Sequence, residues 1–190
     1  CRWRSYLIYK KGEHDSWRQA TKLIHSGISR SSFDETSEAL YLTSGYIYSS
    51  AEEAEAAFKG DKDRFLYSRY SNPNMQGLQE RLAALEGAEY CLTTASGMAA
   101  MFASLACQLT CGDRLVASQA LFGSCFYVIS DIFPKWGINI DFVDGKNISD
   151  WERALSMPTK CVFLETPSNP TLEIIDIEAI CELAHRVGAR

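Results

Sequence analysis

Residues 112–144 read GDRLVASQALFGSCFYVISDIFPKWGINIDFVD. Gly112-Asp113 is a turn signal, and Leu115–Ser118 after it reads as a short buried strand. Phe126, Ile129, Ile132, Phe133 and Trp136 then fall on one helical face, which predicts a helix closed by Gly137. Ile138–Val143 follows as a second strand. A strand, a helix and a strand in about thirty residues make one unit of a parallel sheet.

The same alternation extends both ways. Downstream, Ser149 is the expected cap of a short helix through Leu155, Cys161–Leu164 is a strand, and Ile177, Ile180, Ala184 and Val187 line a last helix. Upstream, Met98, Met101, Phe102, Leu105 and Leu109 mark a helix and Tyr90–Thr94 a strand. Before these, Met75, Leu78, Leu82 and Leu85 share one helical face, with Asn74 as the expected cap and Gly87 as the stop. Ser50 with Glu53 resembles a capping box and opens a helix to about Lys59, which Gly60-Asp61 breaks. The fold class is α/β, a mostly parallel sheet with flanking helices, preceded by an extended N-terminal arm. The expected organisation is an unassigned extension over 1–17, the arm and a helix over 18–60, and the α/β domain over 61–190. A strand is expected after the last helix, and the sequence shows none, so the sheet looks truncated.

Composition narrows the function classes. The chain has 190 residues, 46% of them hydrophobic and 23% charged, the balance of a globular domain with a real core. A net charge of -5 and the lack of a basic stripe argue against nucleic acid. No apolar run reaches membrane-spanning length, and residues 1–17 lack a signal-peptide pattern. The seven cysteines are odd in number, irregular in spacing and free of any CxxC pair. That usage fits a reducing, cytoplasmic compartment and no metal site, with metal binding as the lesser alternative.

Ligands of α/β sheets bind beyond the C-terminal ends of the strands, and several stretches there carry usable chemistry. In Thr93-Thr94-Ala95-Ser96-Gly97-Met98, helix-start amides and a glycine could admit a phosphate, or the stretch could be an N-cap with a packing glycine. In Tyr67-Ser68-Arg69-Tyr70-Ser71-Asn72-Pro73, Arg69 could clamp a phosphate, or the loop could simply be solvated. In Glu165-Thr166-Pro167-Ser168-Asn169-Pro170, the prolines could hold Asn169 as a rigid amide, or form only a stiff turn. Phe122, in Leu121-Phe122-Gly123, could stack on a flat ring or be core.

Taken together and in this order, these stretches resemble the Cys/Met-metabolism enzymes that use pyridoxal 5'-phosphate. This is the fold-type I group of cystathionine γ-synthase, the β- and γ-lyases and the homoserine-ester sulfhydrylases. The likeness runs from about Arg18 to Arg190, and Thr21 with His25-Ser26-Gly27 is similar to the family's arm signature. It implies that Tyr67 and Arg69 reach the cofactor phosphate of a neighbouring subunit. It also implies that Ser96, Gly97 and Met98 form the phosphate cup, that Phe122 stacks on the pyridine ring, and that Asn169 lies near its 3'-oxygen. Two positions depart from the family pattern: Asn74 stands where Thr is usual, and Phe122 where most members have Tyr. The second change keeps a stacking face and loses a hydroxyl that lyases use to move protons. The set Leu121-Phe122-Gly123-Ser124-Cys125, with the loop Ser68-Arg69-Tyr70-Ser71-Asn72-Pro73, is most similar to the O-succinylhomoserine sulfhydrylases.

The resemblance implies γ-replacement on an activated homoserine ester by sulfide, giving homocysteine for methionine biosynthesis, in a homotetramer with shared sites. The ring-anchoring lysine, the acid facing the pyridine nitrogen and the substrate-carboxylate arginine are expected beyond Arg190. None of the lysines present, from Lys10 to Lys160, lies in the family's Ser-x-Thr-Lys context. The chain is therefore expected to lack a catalytic residue of its own. Rival readings are cystathionine γ-synthase or a γ-lyase on the same scaffold, and a non-catalytic half that only pairs with other chains. A nucleotide-binding module is disfavoured, since no GxGxxG or GxxxxGK[ST] follows a strand.

Overall fold

The computed structural model describes residues 16–190 and divides into two compact units, one ending at Thr93 and one running from Thr94 to Arg190. The extension expected over residues 1–17 falls almost wholly outside the described residues.

The first unit holds α1 (Gln19–His25), α2 (Ala51–Lys59) and α3 (Pro73–Glu86). Helix α1 lies in the segment expected to be extended; at seven residues it is too short for its periodicity to stand out. In α2 half of the expected capping box forms: Ser50 Oγ accepts the Glu53 N–H at 3.1 Å, while the Glu53 carboxylate reaches one residue past the cap to accept the Ser49 N–H at 2.6 Å. The Glu53 carboxylate also gathers Lys62 at 2.6 Å and Arg64 at 2.8 Å. Lys62 first, and the Ser49 hydrogen bonds next, hold its pKa down to about 2.

Helix α3 corrects the sequence reading twice. Its cap is Asn72, whose side chain accepts the Asn74 N–H at 2.9 Å, so Asn74 is the capped residue rather than the cap. Its buried residues are Gly77, Ala83 and Ala84, while Met75, Leu78 and Leu82 are exposed. The small face is used because the backbone at Gly27 (φ 70) comes very close to Gly77. A Cβ on Gly27 would lie 2.2 Å from Gly77 O, and one on Gly77 would lie 2.6 Å from Gly27 O. Residues 90–94 form no strand, because no segment among the described residues pairs with them. Cys91 instead packs against Ala83 and Ala84.

The second unit is a helix–sheet–helix sandwich. Its elements are α4 (Gly97–Ala106), β1 (Arg114–Ser118), α5 (Gly123–Tyr127), β2 (Asn139–Val143), α6 (Ile148–Ala154), β3 (Cys161–Phe163) and α7 (Ile177–Arg186). The three strands are parallel in the order β2-β1-β3, with Val116 opposite Asp141 on one side and Val162 on the other. Leu115 and Ala117 face a core shared with Leu105, Cys125, Ile129 and Phe133. Val116 faces the opposite core, built on Trp151, Ile175, Ile180 and Leu183. Helices α4 and α5 therefore cover one face of the sheet, and α6 and α7 the other.

The long helix expected after β1 is continuous but changes winding. It passes from α5 into a π-helical turn at Val128–Ile132 and a 3-10 turn at Phe133–Trp136. Pro134 lacks the N–H that regular α winding would use there. The cap of α6 is Asn147, whose side chain accepts the Ser149 N–H at 3.1 Å, and not Ser149. After α7 the chain returns to the free edge of β3. The Arg190 N–H donates to Lys160 O at 3.1 Å, and Arg190 O accepts the Val162 N–H at 2.7 Å. These are the two bonds of a parallel pairing, made where the sequence reading expected a further strand.

Two outcomes are expected from the first unit. Gly77→Ala gains about 1 kcal/mol of helix propensity, yet the close approach of Gly27 should make the variant net less stable by about 1–3 kcal/mol in urea unfolding. Glu53 has a lowered folded pKa, so its contribution is complete above the ordinary carboxylate value and fades as pH falls toward 2. Urea midpoints at about pH 6 and about pH 3 should differ less in Glu53→Gln than in the parent.

Candidate functional site

The order β2-β1-β3 means that the chain turns from one side of β1 to the other. In open α/β sheets such a reversal opens a crevice at the C-terminal strand ends. Two adjacent strands, β1 and β3, deliver their following loops there.

The loop after β1 reaches Phe122, a residue that is 42% exposed and whose ring has no aromatic partner among the described residues. The loop after β3 reaches Asn169, an exposed residue whose side-chain amide is likewise without a partner among them. Glu165 joins the two loops: one carboxylate oxygen accepts the Phe122 N–H at 2.8 Å and the other the Asn169 N–H at 2.8 Å. The rest of the β3 loop is framed by its own side chains. Ser168 is fully buried, its Oγ accepting the Glu173 N–H at 2.9 Å and meeting Thr171 Oγ1 at 2.7 Å. Thr166 Oγ1 accepts the Ile175 N–H at 3.0 Å.

Helix α4 begins beside α5, with the Met98 sulfur 3.8 Å from Cys125 Sγ. Ser96 caps it by accepting the Ala99 N–H at 3.1 Å on Oγ and the Ala100 N–H at 3.1 Å on its carbonyl. The amides of Gly97 and Met98 have no acceptor among the described residues. A Cβ on Gly97 would meet nothing within 4 Å, so this glycine is not explained by packing. Free N–H groups at a helix start beside open space suit an anion. Cys125 stays a thiol: burial, then the Glu165 charge, pushes its pKa up.

In the first unit, Arg69 is exposed and its guanidinium lies 5.4 Å from the ring centres of both Tyr67 and Tyr70. It has no carboxylate partner among the described residues. The loop that carries it is pinned to the arm. The Ser68 N–H donates to Ser44 O at 2.8 Å, and Asn72 Nδ2 donates to Tyr41 O at 3.0 Å. Asn74 accepts the Tyr41 N–H at 2.8 Å and donates to Ala39 O at 2.6 Å.

Thus Ser96, Gly97, Met98, Phe122 and Asn169 gather at one end of the second unit, while Tyr67 and Arg69 lie in the first. Residues 20–190 match the family model described as "Cys/Met metabolism PLP-dependent enzyme". The chain belongs to this family.

Members of the Cys/Met family align along most of it. An O-succinylhomoserine sulfhydrylase of Mycobacterium tuberculosis is 55% identical over 176 residues, covering 93% of this chain and 43% of that protein. An L-methionine gamma-lyase of Porphyromonas gingivalis is 34% identical over 167 residues, covering 88% of this chain and 42% of its own length. The crystal structure of a putative O-acetylhomoserine (thiol)-lyase from Campylobacter jejuni, solved with a pyridoxyl-lysine phosphate, superposes with a TM-score of 0.82 at 29% identity. It covers 91% of this chain and 43% of that one. The chain therefore spans less than half the length of the relatives it matches.

Sequence reading overlooked two contributors. In the sequence Glu165 stands only at the head of a proline turn; an acid placed directly at the end of an apolar strand is the available signal. Asn74 is the expected cap of α3, whereas its side chain holds the arm against the Arg69 loop. Asn74→Ala removes two hydrogen bonds and should cost about 1–3 kcal/mol. Hydrogen exchange at the Tyr41 amide should speed up while α2 amides keep their rates.

Proposed function

We propose that this chain contributes a pyridoxal-phosphate site to an enzyme that replaces the γ-substituent of an activated homoserine ester, O-succinylhomoserine in the first instance, with sulfide to make homocysteine. The observation that carries the reading is the Gly97 cup: unpaired amides at a helix start beside a glycine whose missing Cβ leaves open space. In this reading Gly97 and Met98 donate to the phosphate and the α4 dipole favours its charge. The Phe122 ring supplies a stacking face, and the Asn169 amide donates near the ring oxygen. Tyr67 and Arg69 serve the phosphate of a neighbouring copy in a homotetramer, the guanidinium pairing with it while the tyrosines orient it. When bound, the cofactor supplies an electron sink, and the protein supplies orientation and proton transfer. The similarity to sulfhydrylases of the same family supports the ester and sulfide as substrates. Free thiols at all described cysteines support a cytoplasmic setting.

Elimination from methionine is the second reading, favoured by similarity to proteins named gamma-lyases. Phe122, without a hydroxyl, favours replacement. In a protein carrying these residues at its relatives' full length, O-succinylhomoserine with sulfide should yield homocysteine faster than methionine yields 2-oxobutyrate. The reverse order would reject the first reading for the second. Residues 1–190 alone should show no turnover, and borohydride reduction after adding pyridoxal phosphate should leave the label only on scattered surface lysines such as Lys59 or Lys62.

Gly97→Ala separates the cup from a packing role. The added methyl group meets open space and improves helix propensity, so stability should hold or rise by up to about 1 kcal/mol. Affinity for pyridoxal phosphate should fall about tenfold, or about 1.4 kcal/mol, in equilibrium dialysis. Unchanged affinity would reject the cup.

A further inference from the structure

We propose that Glu165 is a positioning residue, a carboxylate clamp that sets the loops after β1 and β3 at one spacing and thereby holds the Phe122 ring and the Asn169 amide for their ligand. The inference rests on the reading of this strand edge as the cofactor site. Each Glu165 oxygen takes one main-chain N–H, from Phe122 and from Asn169, both at 2.8 Å. An ionised carboxylate is the side chain that offers acceptors on both of its ends and no donor. Glu165 has no cationic partner among the described residues, so these N–H groups are what its charge meets there.

Each loop also has bonds of its own, and the Glu165–Asn169 bond lies within the β3 loop while the Glu165–Phe122 bond crosses to the β1 loop. The β3 loop is held by Ser168 and Thr166, through bonds to Glu173, Thr171 and Ile175. The β1 loop enters α5 with Phe122 O accepting the Phe126 N–H at 2.9 Å. What Glu165 adds is the link between them, at the two residues whose side chains stand free at the strand edge. The Glu165 charge also reaches Cys125 in the first turn of α5, which places the carboxylate against the same corner of the fold.

Glu165→Gln is nearly isosteric, keeps one acceptor and turns an NH2 toward the other N–H; Glu165→Ala removes both acceptors. Both are made in a protein carrying these residues at its relatives' full length. Hydrogen exchange is read first, without cofactor, on peptides covering 119–126 and 165–172, with peptides of β1 and β2 as reference. Both loops should exchange about tenfold faster in Glu165→Ala, which loses both bonds to the charged acceptor, and one of them in Glu165→Gln, while the strand peptides keep their rates. The visible circular dichroism of bound pyridoxal phosphate, per mole bound at saturation, should then fall, because the ring is held less uniquely.

Unchanged exchange in either loop of Glu165→Ala would overturn the clamp, and so would exchange that rises equally in the strands, since Glu165 would then be a fold residue. Loosened loops with unaltered dichroism would overturn the positioning of the ligand. A parent protein that takes up no pyridoxal phosphate would reject the cofactor reading and leave the clamp standing on its exchange result.

Discussion

Strand β1 has no free side. Its neighbours β2 and β3 take up both edges, and Leu115, Val116 and Ala117 are fully buried, turned alternately into the two cores. Buried backbone groups must be paired, and parallel pairing on both edges satisfies them. A strand sealed in this way can present chemistry only at its ends. The loops that leave β1 and β3 therefore carry the candidate residues, and the helices covering each face are bound to the sheet by the same two cores.

This constraint explains why the second unit was legible in the sequence. A strand buried on both faces must be apolar at every position, so Leu115–Ala117 and Cys161–Leu164 stand out as unbroken runs. The crossover helix shows as a face of large apolar residues. The first unit violates the assumption behind that reading. Periodicity weights Leu and Met, but α3 buries Gly77, Ala83 and Ala84, because close backbone approach selects for small size rather than for hydrophobicity. Residues 90–94 have strand-like composition, yet a strand exists only with a partner, and pairing is not written locally.

The cap errors share one cause. At Asn72/Asn74 and at Asn147/Ser149 two polar residues stand two apart, and in both pairs the first accepts from the second. An Asn side chain reaches the N–H two residues on, so the earlier Asn is the cap. At α3, Pro73 adds the same message, since proline prefers the first helical position. With Asn72 doing the capping, the Asn74 side chain is released to grip the arm on both sides, accepting from Tyr41 and donating to Ala39. A position that looked like a tolerated family variant thus has a separate structural use, one that a contact thirty-three residues away in sequence conceals.

The clamp at Glu165 bears on how this strand edge tolerates change. It grips main-chain N–H groups, which every residue except proline possesses. The side chain at position 122 can therefore differ in chemistry without moving the loop: Phe offers a ring face alone, and Tyr in its place would add a hydroxyl on the same backbone. The fixed part of the device lies in the acid, in the strand that delivers it and in the buried Ser168 that frames its loop. The variable part is whatever side chain the clamped backbone presents.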